Sequence, residues 1–278
     1  MISNFNFSLN KLIILTSLSN TALFTQNVME KSSWLSFSDS KFSHFINSLL
    51  FYPSATSSVS FKSCLFTKFQ TTSVIASNNI YQHRVLLRFD ETSIPKSFFN
   101  LTECIFKYCR SRKGPGCVNS SSCWGLLQHN EFTSNIGKFG GAIYFDRMRR
   151  LSIFENQFNW NTADHFGAGY GDVVMQRPII FYNNNFTHNR GNKWVGAFEL
   201  DRSYGNDTMH LLIFNGNSAD ECGAFFDMSQ LPQWHSFNMV LFLNNTARRK
   251  GGAITLFIFS SRTNCSNCVF IGNRCKEG

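Results

Sequence analysis

One spacing governs what this chain of 278 residues can fold into. Phe-x-x-Asn recurs as Phe132/Asn135, Phe158/Asn161, Phe186/Asn189, Phe214/Asn217, Phe242/Asn245 and Phe270/Asn273, with successive phenylalanines 26, 28, 28, 28 and 28 residues apart. Phe106/Cys109 extends the series one step back at a gap of 26. About nine residues after most of these pairs comes a second signal: Gly140-Gly141-Ala142-Ile143, Gly167-Ala168, Gly196-Ala197-Phe198, Gly223-Ala224-Phe225 and Gly251-Gly252-Ala253-Ile254. Two linked motifs that hold phase over six units define a stacked repeat architecture.

The unit is β. Around Phe158 the residues Ile153, Glu155 and Gln157 alternate with Phe154, Asn156 and Phe158, the period of a strand with one buried face. Glycine and asparagine interrupt every stretch before a helix of useful length fits. Leucine-rich repeats are excluded by the missing leucine spacing, and a propeller blade needs about 40–50 residues. With 43% hydrophobic and only 15% charged residues the chain can bury a core, and its 31 phenylalanines exclude disorder. The expected fold class is all-β: a parallel β-helix of about seven or eight coils of 26–28 residues, three short strands and three turns to the coil.

Stacking gives each motif a structural task. Coils about 4.8 Å apart place equal side chains above one another. Stacked Phe rings then fill the interior, each burial contributing about 2–3 kcal/mol. Asn at the turn is expected to take a left-handed backbone and to hydrogen-bond along its column. The glycine step removes Cβ where the chain bends beside its neighbour. None of the three motifs is assigned a catalytic role.

FxxN followed by GGA[I/V/L] resembles the repeat of the polymorphic outer-membrane proteins over about residues 99–278. The resemblance implies a right-handed β-helix on a cell surface, engaged in adhesion. Departures are Cys109 for Asn, Val195 for the first Gly, and Phe166-Gly-Ala-Gly-Tyr-Gly-Asp172 where another coil reads GGAIYFD. The matching segments 61–66, 101–106 and 265–270 put Cys64, Cys104 and Cys268 two positions before the key Phe, where Asn130, Asn156 and Asn184 stand in the middle coils. The solenoid is therefore expected over 61–278, truncated at its C-terminal end, with 1–60 a leader or N-terminal cap. The 40 residues from Phe66 to Phe106 exceed one coil, and 78–96 is the expected projecting loop.

Nine cysteines leave at least one unpaired within the chain. The single CxxC, Cys265/Cys268, has no counterpart for a structural zinc site, and no cofactor is implied. The four cysteines from Cys104 to Cys123 read equally as a local disulfide knot or as buried thiols. Residues 12–24 loosely resemble a signal-peptide core, and no apolar run is long enough to span a membrane. Seven N-x-S/T sequons are close to the number chance supplies.

The net charge of +9 is not scattered. Arg110, Arg112 and Lys113, Lys138, Arg190 and Lys193, and Arg248, Arg249 and Lys250 all fall between FxxN and the glycine step, interrupted by Asp164 and by Asp220/Glu221. Stacked in phase they form a basic edge suited to sulfated or uronic-acid glycans or other anions. Nucleic acid is set aside because the aromatic residues read as core, not as interleaved with the cations. A second column, Asp146, Asp172, Asp201 and Asp227, admits a polysaccharide lyase or hydrolase instead. The favoured reading is a non-catalytic, adhesin-like protein at the cell surface or outside the cell. Its partners would be host or cell-surface glycans or receptors. A structural spacer is the third possibility.

Overall fold

A computed structural model describes residues 6–15, 24–25, 34–44, 50–52, 58–71, 87–89, 98–112, 114–121, 124–173, 179–201, 206–228, 234–256 and 262–277. They form a parallel β-solenoid with four sheets running its length, of ten, nine, ten and eight strands. One coil shows the order. Arg150–Phe154 belongs to a lead sheet, Gln157–Asn159 to the phenylalanine sheet, Thr162–Ala163 to a narrow sheet, and Gly169–Val173 to a return sheet. Four strands per coil replace the expected three. The addition is the narrow sheet, whose strands have only two residues and no hydrophobic alternation to announce them. Among the described residues no helix is long and apolar enough to cross a membrane.

From Phe61 onward the lead sheet holds eight rungs, but stacking does not begin there. Asn6–Asn10 pairs in register with Trp34–Ser38, which pairs with Ser58–Lys62. The described strands between Asn6 and Tyr52 thus form rungs within the segment 1–60 that the sequence reads as a leader or N-terminal cap. Their period was hidden because Leu9 and Ile14 stand in the columns of Phe37 and Phe42, and Ser40 where Asn or Cys stands later. The loop expected over 78–96 is also reduced. Leu87–Phe89 is a rung of the return sheet, paired with Leu50–Tyr52 and Val118–Ser121, and the rest of that segment lies outside the described residues.

The core is columnar. Phe42, Phe66, Phe106, Phe132, Phe158, Phe186, Phe214, Phe242 and Phe270 stack in turn at centroid distances of 5.2, 4.6, 4.7, 4.9, 4.8, 4.9, 5.0 and 4.9 Å. Rung spacing sets these distances, and burial of each ring outweighs the modest cost of near-parallel faces.

Beside this column runs an amide ladder. Asn161 Oδ1 accepts from Asn135 N at 3.2 Å and from Asn135 Nδ2 at 3.0 Å. Asn161 Nδ2 donates to Phe132 O at 2.9 Å and to Asn189 Oδ1 at 3.0 Å. The same pattern continues through Asn217 and Asn245 to Asn273. A shorter second ladder joins Asn130, Asn156 and Asn184. The asparagines are not left-handed, contrary to expectation. The residue before each one is, as at Ser134, Trp160, His188 and Asn244 with φ of 56, 58, 54 and 53°. A left-handed corner thus turns the next side chain inward, where its amide reaches both neighbouring coils.

Cys104 precedes Asn130 in the second ladder, Cys268 takes the same position three coils after Asn184, and both donate to the same kind of carbonyl: Cys104 Sγ to Phe61 O at 3.4 Å, and Cys268 Sγ to Phe237 O at 3.6 Å. Every described cysteine is a free thiol, so the disulfide knot gives way to buried thiols, Cys123 lying outside the described residues. The glycine step is explained as well. A Cβ on Gly141, Gly167, Gly196 or Gly223 would fall 2.0, 1.7, 2.0 or 1.9 Å from the carbonyl oxygen of the next coil. The position before it bridges Gly140, Phe166, Val195 and Cys222 and tolerates a side chain, which is why Val195 is accepted.

Asn189→Ala removes both acceptor contacts to Asn161 and both donor contacts to Phe158 O and Asn217 Oδ1. It is expected to cost on the order of 3 kcal/mol or more in urea denaturation. Exposed Asn192→Ala should stay within about 0.5 kcal/mol.

Candidate functional site

The narrow sheet is the floor of the basic edge. Its strands Arg110–Ser111, Ile136–Gly137, Thr162–Ala163, Arg190–Gly191, Ser218–Ala219, Thr246–Ala247 and Arg274–Cys275 lie in sequence along the solenoid. The strands from Arg110–Ser111 to Thr246–Ala247 run directly into the turn that precedes the glycine step. The small inward residues Gly137, Ala163, Gly191 and Ala247 keep the corner tight. Stacking therefore brings Arg110, Arg112, Lys138, Arg190, Lys193, Arg248, Arg249 and Lys250 to one face, all of them exposed. Lys113 lies outside the described residues.

Their electrostatic states differ. Arg248 pairs with Asp220 at 3.5 Å and Glu277 at 2.6 Å. Arg249 pairs with Asp220 and, at 3.1 Å, with Glu221, while Lys250 Nζ is 2.7 Å from Glu221. The densest cationic triplet in the sequence is thus interlocked with the acidic residues of the adjoining coils. Arg112, Lys138, Arg190 and Lys193 make no ion pair among the described residues, and Lys138 lies over the Phe139 ring. The field they set up is felt nearby. Burial lowers the pKa of His165, the ammonium groups of Lys193 and Lys138 lower it further, and Asp164 opposes them.

The edge carries a groove of about 220 Å³, lined among others by Arg190, Asn192, Asp220, Arg248 and Lys276. At the corner beside it stand exposed aromatic residues that sequence reasoning had placed in the core. Tyr108 and Trp160 are each 59% exposed, and Trp160 stacks on His188 at 4.2 Å with planes 5° apart. The strand period misleads here, because it turns a residue two positions after the core Phe inward. The left-handed corner at Tyr108 and Trp160, with φ of 56 and 58°, breaks the alternation and turns both outward.

The acidic column does not assemble as expected. Asp172 and Asp201 are register neighbours, but Asp172 is fully buried. An irregularity between Phe145 and Met148 breaks the register at Asp146, which contacts Arg147 at 3.1 Å. Asp227 pairs with Leu200 in the return sheet and points into the core. Outside the same sheet, Tyr144 stacks on Tyr170 at 4.7 Å, and Tyr170 donates to Asp201 at 3.1 Å. Glu199 is buried there, and desolvation, followed by the charges of Asp201 and Asp227, raises its pKa well above the carboxylate range. Among the described residues no cluster of His, Cys, Asp and Glu is suited to a metal ion.

A residue that the sequence reading passed over lies in the interior. His235 Nε2 is 2.7 Å from Asp227 Oδ2 and Nδ1 is 3.3 Å from Asp207 Oδ2, with all three side chains inaccessible. His235 alternates with core Phe237 on a lead-sheet strand, so its inward direction was legible from period two. Burial lowers its pKa, but the two carboxylates outweigh that and hold it up at about 9.

Residues 239–255 match the repeat of the Chlamydia polymorphic membrane proteins. They span one unit, from the left-handed corner at Met239 through Phe242 and Asn245 to the glycine step and Ile254. No curated protein and no solved structure matches the chain. Over these residues the chain is similar to that repeat, and its parallel β-solenoid is consistent with the similarity.

Because His235 titrates near 9 when folded and near 6.5 when unfolded, its contribution is complete below pH 6.5 and is lost as pH rises through 9. Denaturation midpoints should fall between pH 6.5 and 9.5 by an amount on the order of 3 kcal/mol. His235→Asn, less stable throughout, should lose this dependence.

Proposed function

We propose that this protein is a surface-exposed, non-catalytic interaction protein, adhesin-like, that binds anionic glycans along its basic edge. The observation that carries the reading is the set Arg112, Lys138, Arg190 and Lys193, exposed cations on three of four successive coils without ion-pair partners among the described residues. A rigid floor fixes their spacing at multiples of the rung, and a linear polyanion can meet several at once. The match of residues 239–255 to a membrane-protein repeat supports a place at the cell surface, where host or cell-surface glycans or receptors would be the partners. Against the enzyme reading stand the burial of Asp172 and the inward direction of Asp227, which leave the acidic column without an open pair of carboxylates.

The ion pairing changes which cations are expected to matter. Arg248, Arg249 and Lys250 must leave Asp220, Glu221 and Glu277 before they meet a ligand, whereas the other four need not. On a heparin column the protein should be retained at 50 mM salt and elute as screening shortens the reach of its charges. Joint replacement of Arg112, Lys138, Arg190 and Lys193 by Ser should abolish retention, and replacement of the 248–250 triplet should shift elution much less. Passage of the unaltered protein through the column at 50 mM salt would leave the spacer reading.

The location has its own test. Protease shaving of intact cells should release peptides from residues 126–278. An intact protein recovered only after lysis would contradict surface exposure.

A further inference from the structure

We infer that the corner between the phenylalanine sheet and the narrow sheet holds a stacking subsite for one pyranose ring, walled by Tyr108 and Trp160 with Ser134 as its floor. The inference rests on the glycan reading above and names the subsite at which a sugar ring is gripped, as distinct from the cations that attract its charge.

Tyr108, Ser134 and Trp160 hold the same place on three consecutive coils, with φ of 56, 56 and 58°, so their Cα–Cβ bonds share one direction. The strands they follow are in register: Phe106 beside Phe132, and Phe132 beside Phe158. One coil further, His188 occupies this place and covers one face of Trp160 at 4.2 Å and 5°. The Trp160 plane therefore lies across the stacking axis, and its other face looks toward the coil of Ser134. The column reads Tyr108, Ser134, Trp160, His188: aromatic side chains with one small member, of which Trp160 and His188 are stacked.

The size of that gap follows from the buried column one layer in. Phe106, Phe132 and Phe158 succeed one another at 4.7 and 4.9 Å. Walls two coils apart thus leave about 9–10 Å between their centres, the room of a single six-membered ring in contact on both sides. Both walls are 59% exposed, so the opening faces solvent. Ile136, two residues beyond Ser134 and 41% exposed, adds an apolar flank, and Lys138 follows on the same coil. An apolar sandwich beside fixed cations fits a pyranose carrying sulfate or carboxylate. Single-stranded nucleic acid needs a succession of stacking platforms, and this column offers one.

The test uses the full chain and three variants: Ser134→Phe, which fills the gap, and Tyr108→Ala and Trp160→Ala, which remove its walls. Each is checked for an unchanged denaturation midpoint. Probes are a heparin-derived hexasaccharide, the same hexasaccharide desulfated, and a short single-stranded oligonucleotide, titrated calorimetrically. Ser134→Phe is expected to weaken both saccharides tenfold or more while leaving the salt dependence of the affinity for the sulfated hexasaccharide unchanged. Trp160→Ala should weaken them similarly and keeps the test open if Ser134→Phe misfolds.

Retention on heparin together with saccharide affinity indifferent to all three variants would overturn the subsite and spare the basic edge. Absence of retention together with binding of the desulfated hexasaccharide, lost in Ser134→Phe, would overturn the basic edge and uphold the subsite. Binding of neither saccharide would overturn the subsite. Tighter binding of the oligonucleotide, blocked by Ser134→Phe, would overturn the pyranose assignment in favour of a base.

Discussion

Everything in this solenoid depends on stacking like upon like at the spacing of a parallel sheet, and the asparagine amide is the group that enforces it. A buried amide has two donors and an oxygen that can accept twice, and an inward corner offers no water. Asn161 resolves this by accepting from the coil before it and donating both to that coil's carbonyl and to the next asparagine. A slip by one residue would leave these groups unpaired in the interior, at about 1–3 kcal/mol each. The phenylalanine column adds the larger apolar burial, and a slip by one residue would turn its rings outward as well. Both hold the register, and the rings supply the bulk of the burial.

The second glycine of the turn belongs to the same constraint. Coils that stack in register must also pass one another at the corner, where the next carbonyl leaves no room for a methyl group. A thiol such as Cys104 can stand at the end of an amide column because S–H can donate to the carbonyl there, although it cannot also accept in the way an amide oxygen does. That places the cysteines in a structural role with no cross-link among the described residues.

An architecture of this kind turns sequence period into surface pattern. Residues 26–28 positions apart become neighbours, so opposite charges on successive coils meet as readily as like ones. That is how Asp220 and Glu221, read in one dimension as gaps in a cationic stripe, become the partners of Arg248, Arg249 and Lys250. It is also how two aromatic residues far apart in the chain come to flank a serine. The Asp207–His235–Asp227 group shows the converse inside the core, where an ion pair replaces hydrophobic contact and makes stability depend on pH.

The period by itself determined the fold class, the columns of Phe and Asn, the need for glycine and the common face of the cations. All of these follow from one repeat length and a fixed rung spacing. That the described strands already stack from Asn6–Asn10 was not legible, because those coils lack the Phe-x-x-Asn signal, although Phe37 and Phe42 stack on Phe61 and Phe66. Nor was the fourth strand, too short for a pattern. Which cations are neutralised, which carboxylates face the core and which aromatic residues stand in solvent were settled only by the tertiary structure. Side-chain partners lie one coil away, and their meeting depends on register and corner geometry that a period of 26–28 residues does not specify to within one residue.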